Sequence, residues 1–217
     1  VARWEHFSHS MAKECGINVA ETSVVTSKDG RDILLSKRFD RTDDGKRIHM
    51  ASSLALLGLN DGDGERNGKG YLDIVDFIVS NGGKNVNADL EELYRRVAFN
   101  ICIGNTDDHF RNHSFLLRKE GWKLSPAYDM NPTLKYSQAL MVDDYSNNSS
   151  LDTLYEAHES YMLDDNTAYG IIKDITRNMK YWELLANKLK LPKSEMSLFS
   201  DRFEHGMEWK YGGGLHR

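Results

Sequence analysis

Three oxygen-bearing side chains stand at a spacing that suits phosphoryl transfer. The run Gly104-Asn105-Thr106-Asp107-Asp108-His109-Phe110-Arg111-Asn112 is followed downstream by Tyr128-Asp129-Met130. Enzymes that move a phosphoryl group from a nucleotide use one carboxylate to orient the attacking hydroxyl and accept its proton, and a few oxygens to hold metal against the phosphates. Magnesium shares a near-octahedral oxygen shell between one or two carboxylates and the substrate phosphates, so few protein ligands are needed. Asp107 suits the first role. Asn112, five positions on, and Asp129 suit the second.

Each residue alone has a plainer reading, because Asp and Asn populate turns and caps for structural reasons. The order helix, polar loop, hairpin, Asp is what favours a metal and nucleotide site. His109, inside the loop, reads as a hydrogen-bonded brace rather than a titrating group. An alternative uses His109 and His113, four apart, with Asp107 or Asp108 as a metal-dependent hydrolase site, a spacing suited to zinc on a helix. Phe110 stands where zincins carry Glu, and Asn105-Thr106-Asp107 begins a loop. A catalytically inactive binding module is the other alternative.

The elements that must position these residues are local in the sequence. Asn87 is a candidate N-cap, with Asp89, Glu91 and Glu92 in the first turn. Leu90, Leu93, Val97 and Ile101 keep helical spacing as far as Gly104, which reads as the C-terminal stop. His113 to Leu117 and Trp122 to Leu124 read as strands around a turn at Lys119 to Gly121, so Asp129 follows just past a hairpin. Upstream, Trp4, Phe7, Met11, Ala12 and Cys15 fall on one helical face that Gly16 ends. Thr22 to Thr26 and Asp32 to Phe39, joined across Asp29-Gly30, read as a second hairpin, with Arg38-Phe39-Asp40-Arg41 at its exit. The plain reading of that exit is a solvated Arg38 and Arg41 flanking a core Phe39.

The glycines of Asn60 to Gly70 invite a phosphate-loop reading, but Asp63 and Gly70 break the required spacing and no strand and helix frame the run. A mobile surface loop is expected there. After Asn131-Pro132 and a polar segment over 143–150, Leu151 to Leu163, Thr167 to Leu189 and Lys193 to Trp209 carry helical apolar repeats. Trp182, Leu185 and Leu189 share one stripe, and a flexible tail is expected from Tyr211.

With 217 residues, 40% hydrophobic, 28% charged and a formal net charge of −5, the chain suits one domain or two intimate lobes. Cys15 and Cys102 sit among apolar residues on expected helices and read as buried thiols. No apolar run approaches the roughly 20 residues that span a bilayer, and no secretory signal is visible. No basic, aromatic-interleaved patch marks direct nucleic-acid contact. A soluble, cytoplasmic protein is expected.

The Gly-Asn-Thr-Asp-Asp-His-x-x-Asn motif, the run Leu124-Ser125-Pro126-Ala127-Tyr128-Asp129 and Arg38-Phe39-Asp40-Arg41 resemble the HipA-type serine/threonine kinases over most of the chain. The resemblance implies an α+β, mainly α fold, distantly protein-kinase-like. A β-hairpin remnant of the N-lobe with the hinge would span 1–48, and a helical C-lobe with the catalytic loop 49–210. It implies that Asp107 is the catalytic Asp and that Asn112 and Asp129 bind magnesium. Lys37, Phe39 and Asp40 would form the hinge against adenine and ribose, with His109 bordering the ATP site. It further implies a toxin that phosphorylates a protein substrate, in the translation machinery, and a small DNA-binding antitoxin as partner. The phosphate-covering loop and phosphate-binding lysine of such a kinase are not found in this sequence; Glu5 matches the Glu that would pair with that lysine. The expectation is a fragment, or one part of a split kinase, inactive alone.

Overall fold

The computed structural model describes residues 2–213. Helix α1 (Ala2–Glu14) turns Trp4, Phe7, Met11 and Ala12 inward, as their spacing requires, and Gly16 leaves it with φ +78°. Strands β1 (Thr22–Thr26) and β2 (Asp32–Ser36) form an antiparallel two-stranded sheet packed beside α1, with Val25, Ile33 and Leu35 exposed. The expected second strand therefore ends before Phe39. The short β3 (Met50–Ser52) joins β4 (Ser114–Arg118) and β5 (Gly121–Leu124) in a three-stranded antiparallel sheet, order β3-β4-β5.

Most of the regular structure is helical. The helical part comprises the one-turn α2 (Ser53–Leu56), α3 (Tyr71–Asn81), α4 (Val86–Ile103), α5 (Leu151–Glu156), α6 (Asp165–Met179), α7 (Trp182–Lys188) and α8 (Lys193–Met207). Helix α4 is the central element. Leu93, Tyr94, Val97, Ala98, Phe99, Ile101 and Cys102 are fully buried on it, and α3, α5, α6 and α8 pack around it. An aromatic cluster fastens α8 to α1: Phe203 stacks on Phe7 and Phe199, and Trp182 meets it edge-on at 5.0 Å.

Several local expectations shift. The helix expected from Asn87 starts at Val86 after a 3₁₀ turn, and Asp89 does not face solvent. Asp89 is 4% exposed and accepts the Leu124 N–H at 2.9 Å, tying α4 to β5, and burial raises its pKa. The helix expected over Thr167 to Leu189 breaks between Met179 and Trp182, which turns the indole onto Phe203; Leu151 to Leu163 is likewise a short helix and a 3₁₀ turn. The segment expected to be a mobile loop over Asn60 to Gly70 is folded. Glu65 N–H bonds the Ala139 carbonyl, Met141 N–H the Lys69 carbonyl and Tyr71 N–H the Met141 carbonyl. The tail expected from Tyr211 begins instead with a ring packed at 4.8 Å on Tyr155, within a 3₁₀ turn over Lys210–Gly213. Residues 214–217 lie outside the described part.

Candidate active site

Helix α4 ends where its sequence says it must. Gly104 adopts φ +71°, and its N–H caps the Ile101 carbonyl; an added Cβ there would stand 3.0 Å from the Arg202 side chain and the Thr133 carbonyl. The loop that follows is pinned along its length. Asn105 bonds Asn100 through backbone and side chain, Thr106 meets Thr133 hydroxyl to hydroxyl, and Ala139 N–H donates to the Thr106 carbonyl. Ser53, from α2, donates its N–H to the His113 carbonyl at 2.7 Å and its hydroxyl to the Phe110 carbonyl at 2.6 Å. Phe110 is buried as the apolar anchor.

The two expected metal ligands are brought together by this fold. Asn112 Nδ2 donates to the Asp129 carbonyl at 3.4 Å, which leaves Asn112 Oδ1 for another partner. Asp129 is exposed and holds φ +56°, a left-handed conformation that a non-glycine residue adopts at a cost of order 1 kcal/mol or more. Asn131 Nδ2 supports its carboxylate at 3.3 Å. The Tyr128 hydroxyl donates to the Arg111 carbonyl and also meets Ser114, so the residue before Asp129 locks the 105–112 loop and the hairpin to each other. Glu5, on α1, faces the same corner, its pKa raised by burial and then by the Asp129 carboxylate. Among the described residues no cation pairs with Asp107 or Asp129. A neutral amide oxygen beside an uncompensated carboxylate is a donor set that fits a hard divalent cation.

Asp107 lies exposed on the wall of a cavity of about 330 Å³, bounded by His109, Arg111, Ala139 and the turn from Asp61 to Arg66. Arg111 pairs with Asp61 across it. Gly64 permits the close approach of that turn, since a Cβ there would lie 2.4 Å from the Ala139 carbonyl oxygen. The hinge candidates are more dispersed. The Phe39 ring lies 5.7 Å from that of Tyr128, next to Asp129, whereas Lys37 is exposed with Nζ 3.8 Å from Glu21. Asp40 is buried and receives Arg38 on both carboxylate oxygens and Arg41 on one, so both arginines pair with it, while the Arg38 side chain stays solvent-exposed and that of Arg41 is partly buried. The Arg38 hydrogen bonds and charge hold the Asp40 carboxyl at about 2 against the opposing effect of burial.

His109 is not the brace. Its Nδ1 is buried without a hydrogen-bond partner, and its ring lines the Asp107 cavity. The bracing groups are ones the sequence did not single out for that task. Asp108, 2% exposed, accepts on Oδ2 from Tyr71 Oη at 2.8 Å and Asn100 Nδ2 at 2.8 Å, and pairs there with His113 Nε2 at 2.7 Å. Burial would raise the Asp108 pKa, but the attraction and hydrogen bond of His113 and the Tyr71 hydroxyl together lower it. The Asp-Asp doublet was the available signal. The zinc-hydrolase alternative fails on the same ground: His113 is committed to Asp108, and no cluster of His, Cys, Asp and Glu among the described residues could hold a metal by itself.

Two small antiparallel sheets packed with a helical body, a short polar loop leaving the central helix and a carboxylate after a hairpin belong to a distant protein-kinase-like fold, α+β and mainly α. The chain belongs to the HipA-like C-terminal domain family, whose profile matches residues 1–182. It is 23% identical over 222 residues to a Haemophilus influenzae protein named "Putative kinase", covering 94% of this chain and 64% of that one. It is 29% identical over 162 residues to the serine/threonine-protein kinase toxin HipA of Shewanella oneidensis, covering 64% of this chain and 37% of the relative. Its fold matches a chain of the Shewanella oneidensis MR-1 complex of HipA, HipB and operator DNA with TM-score 0.75 at 20% identity, over 94% of this chain and 54% of that one. The Helicobacter pylori proinflammatory kinase CtkA matches with TM-score 0.66 at 13% identity, over 94% and 79% respectively. The chain thus spans about two thirds or less of the curated relatives named here.

Proposed function

We propose that this chain carries the catalytic loop and metal-binding residues of a HipA-like serine/threonine protein kinase that transfers the γ-phosphoryl group of ATP to a protein hydroxyl. The observation that carries the reading is the Asn112 amide seated on the Asp129 backbone, with Asp107 exposed on the same loop and neither carboxylate paired with a cation among the described residues. Asn112 Oδ1 and the Asp129 carboxylate would hold magnesium, which neutralises charge on the phosphates. Asp107 orients the acceptor hydroxyl and takes its proton as the new O–P bond forms and the bond to the ADP oxygen breaks. Phe39 offers adenine an apolar face beside Tyr128. A ribose contact at Asp40 requires a hydroxyl to share a carboxylate already bonded to Arg38 and Arg41, and Lys37 and His109 would border the nucleotide.

In the same reading residues 1–48 belong to the N-lobe with its hinge and 49–210 to the C-lobe. The phosphate loop and lysine that the reaction needs are not assigned to residues of this chain, and transfer is expected only where they are supplied. A toxin role, a substrate in the translation machinery and a small DNA-binding antitoxin belong to the proposal as well, supported by the HipA relative and the HipA–HipB–operator likeness. No helix among the described residues is long and apolar enough to cross a membrane.

Calorimetry of ATP binding to the complete protein, with magnesium and with chelator, tests the site. Binding should tighten with magnesium. Asp129→Asn should lose that increment, since it removes the carboxylate charge, and Asn suits the left-handed backbone at that position. Asp107→Asn should keep ATP affinity while transfer of labelled γ-phosphate falls about 10²- to 10⁴-fold. Equal affinity with and without magnesium, or parental transfer by Asp107→Asn, overturns the assignment.

A further inference from the structure

We infer that Asp108 and His113 are a positioning pair that sets the distance and orientation between Asp107 and Asn112. The pair joins the loop to itself. Asp108 directly follows Asp107, His113 directly follows Asn112, and their 2.7 Å contact draws a chord across the intervening residues. Both side chains point inward, 2% exposed each, while Asp107 points out. The chord is itself anchored. Tyr71 of α3 and Asn100 of α4 donate to the same Asp108 oxygen, Tyr71 meets the His113 ring edge-on at 5.7 Å, and Ser53 N–H holds the His113 carbonyl. Among the described residues His113 Nδ1 has no partner, so the imidazole is held to the loop through Nε2. Within the chord the Asn112 N–H closes on the His109 carbonyl at 2.8 Å.

A carboxylate that gathers three polar contacts on one oxygen has its direction fixed, and it transmits that direction to its neighbour, Asp107. If Nε2 loses its contact, Asp108 remains buried with two donors, the 108–113 chord is released, and Asp107 and Asn112 move relative to each other. Misplacement of reacting groups by about 1 Å can lower a rate by about 10²-fold.

This inference rests on the roles given above to Asp107 and Asn112, and the experiment separates the two. In the complete protein, His113→Leu, His113→Gln and the distant core control Phe203→Leu are compared for melting temperature, γ-phosphate transfer and exchange of the Asn105 and Asn112 amide protons. Glutamine places an amide N–H where Nε2 stood. His113→Leu should transfer about tenfold or more slowly, with faster exchange of the two amides, and His113→Gln should recover most of both. Phe203→Leu should lower the melting temperature and keep parental transfer and loop exchange. If His113→Leu does not fold, Asp108→Asn, equal in size, takes its place and is read the same way. The pair is refuted if the glutamine variant is as slow as the leucine variant, if both match the parent, or if the core control is equally slow. A parent that transfers no phosphate refutes the kinase reading, and amide exchange then decides the pair: equal exchange in all His113 variants refutes it, and acceleration in leucine but not glutamine supports it.

Discussion

Two glycines in helices should respond oppositely to the same added methyl group. Gly206, on α8, lies against the last turn of α4, where a Cβ would stand 2.5 Å from the Ile101 carbonyl oxygen and 2.6 Å from that of Cys102. Ordinary contact begins at 3.4 Å, so α8 must retreat by about 0.9 Å from the turn that launches the Asp107 loop. The opposing atoms are backbone and cannot rotate away, which places Gly206→Ala among overpacking changes of about 1–3 kcal/mol. Replacing a helical glycine by alanine returns about 0.5–1 kcal/mol, leaving a net loss of roughly 0.5–2 kcal/mol. For a protein of this size that is a fall of about 1–8 °C in melting temperature. Gly170, on α6, has nothing within 4 Å of an added Cβ. Gly170→Ala should therefore keep only the helix gain and raise the melting temperature by about 1–4 °C. Thermal melts and urea titrations of both variants, with unchanged m-values, check the sign and size. Gly206→Ala melting at or above the parent would refute the close packing of α8 on α4.

The Asp40 carboxyl is held at about 2 against an ordinary 3.8, so its ionised form should stabilise the fold fully above pH 3.8 and lose that contribution as pH falls through about 2. Melts of the parent and Asp40→Asn should differ at pH 6 and converge near pH 2; a gap that is constant with pH argues against the arginine pairing. Burial pushes the Cys15 thiol up to about 12 and raises that of Cys102, and both are free, so neither should react with a thiol reagent in the native protein at pH 7 until the chain unfolds. Rapid native labelling would place a thiol outside the core. Gly64→Ala should push the 61–66 turn away from Ala139 and alter the Asp107 cavity, raising KM for the protein acceptor more than it weakens ATP binding beside His109. The reverse order would assign that cavity chiefly to the nucleotide.

Sequence by itself determined the features whose causes are local. Gly104 stops α4 because only glycine readily takes the left-handed cap, the short strand-forming runs on either side of Lys119-Glu120 make a hairpin, and the apolar stripe Trp4, Phe7, Met11 buries one face of α1. The motif residues that the family resemblance rests on lie within three short segments, 38–41, 104–112 and 124–129, so their spacing was legible without a fold. What lay outside sequence reasoning depends on partners far along the chain. Asn60 to Gly70 has the composition of a mobile loop, yet backbone pairing with Ala139 and Met141 folds it, and no local pattern encodes a partner some seventy residues away. Asp89 and Asp108 resemble helix-cap and turn acids until Leu124 N–H and the Tyr71, Asn100 and His113 side chains are placed around them. His109 and His113 are equivalent as letters, and only packing leaves one in the Asp107 cavity and draws the other inward to Asp108. Periodicity reports which residues turn inward, whereas the identity of what they meet there is decided by tertiary contact, because a buried charge persists only where the folded chain supplies its hydrogen bonds.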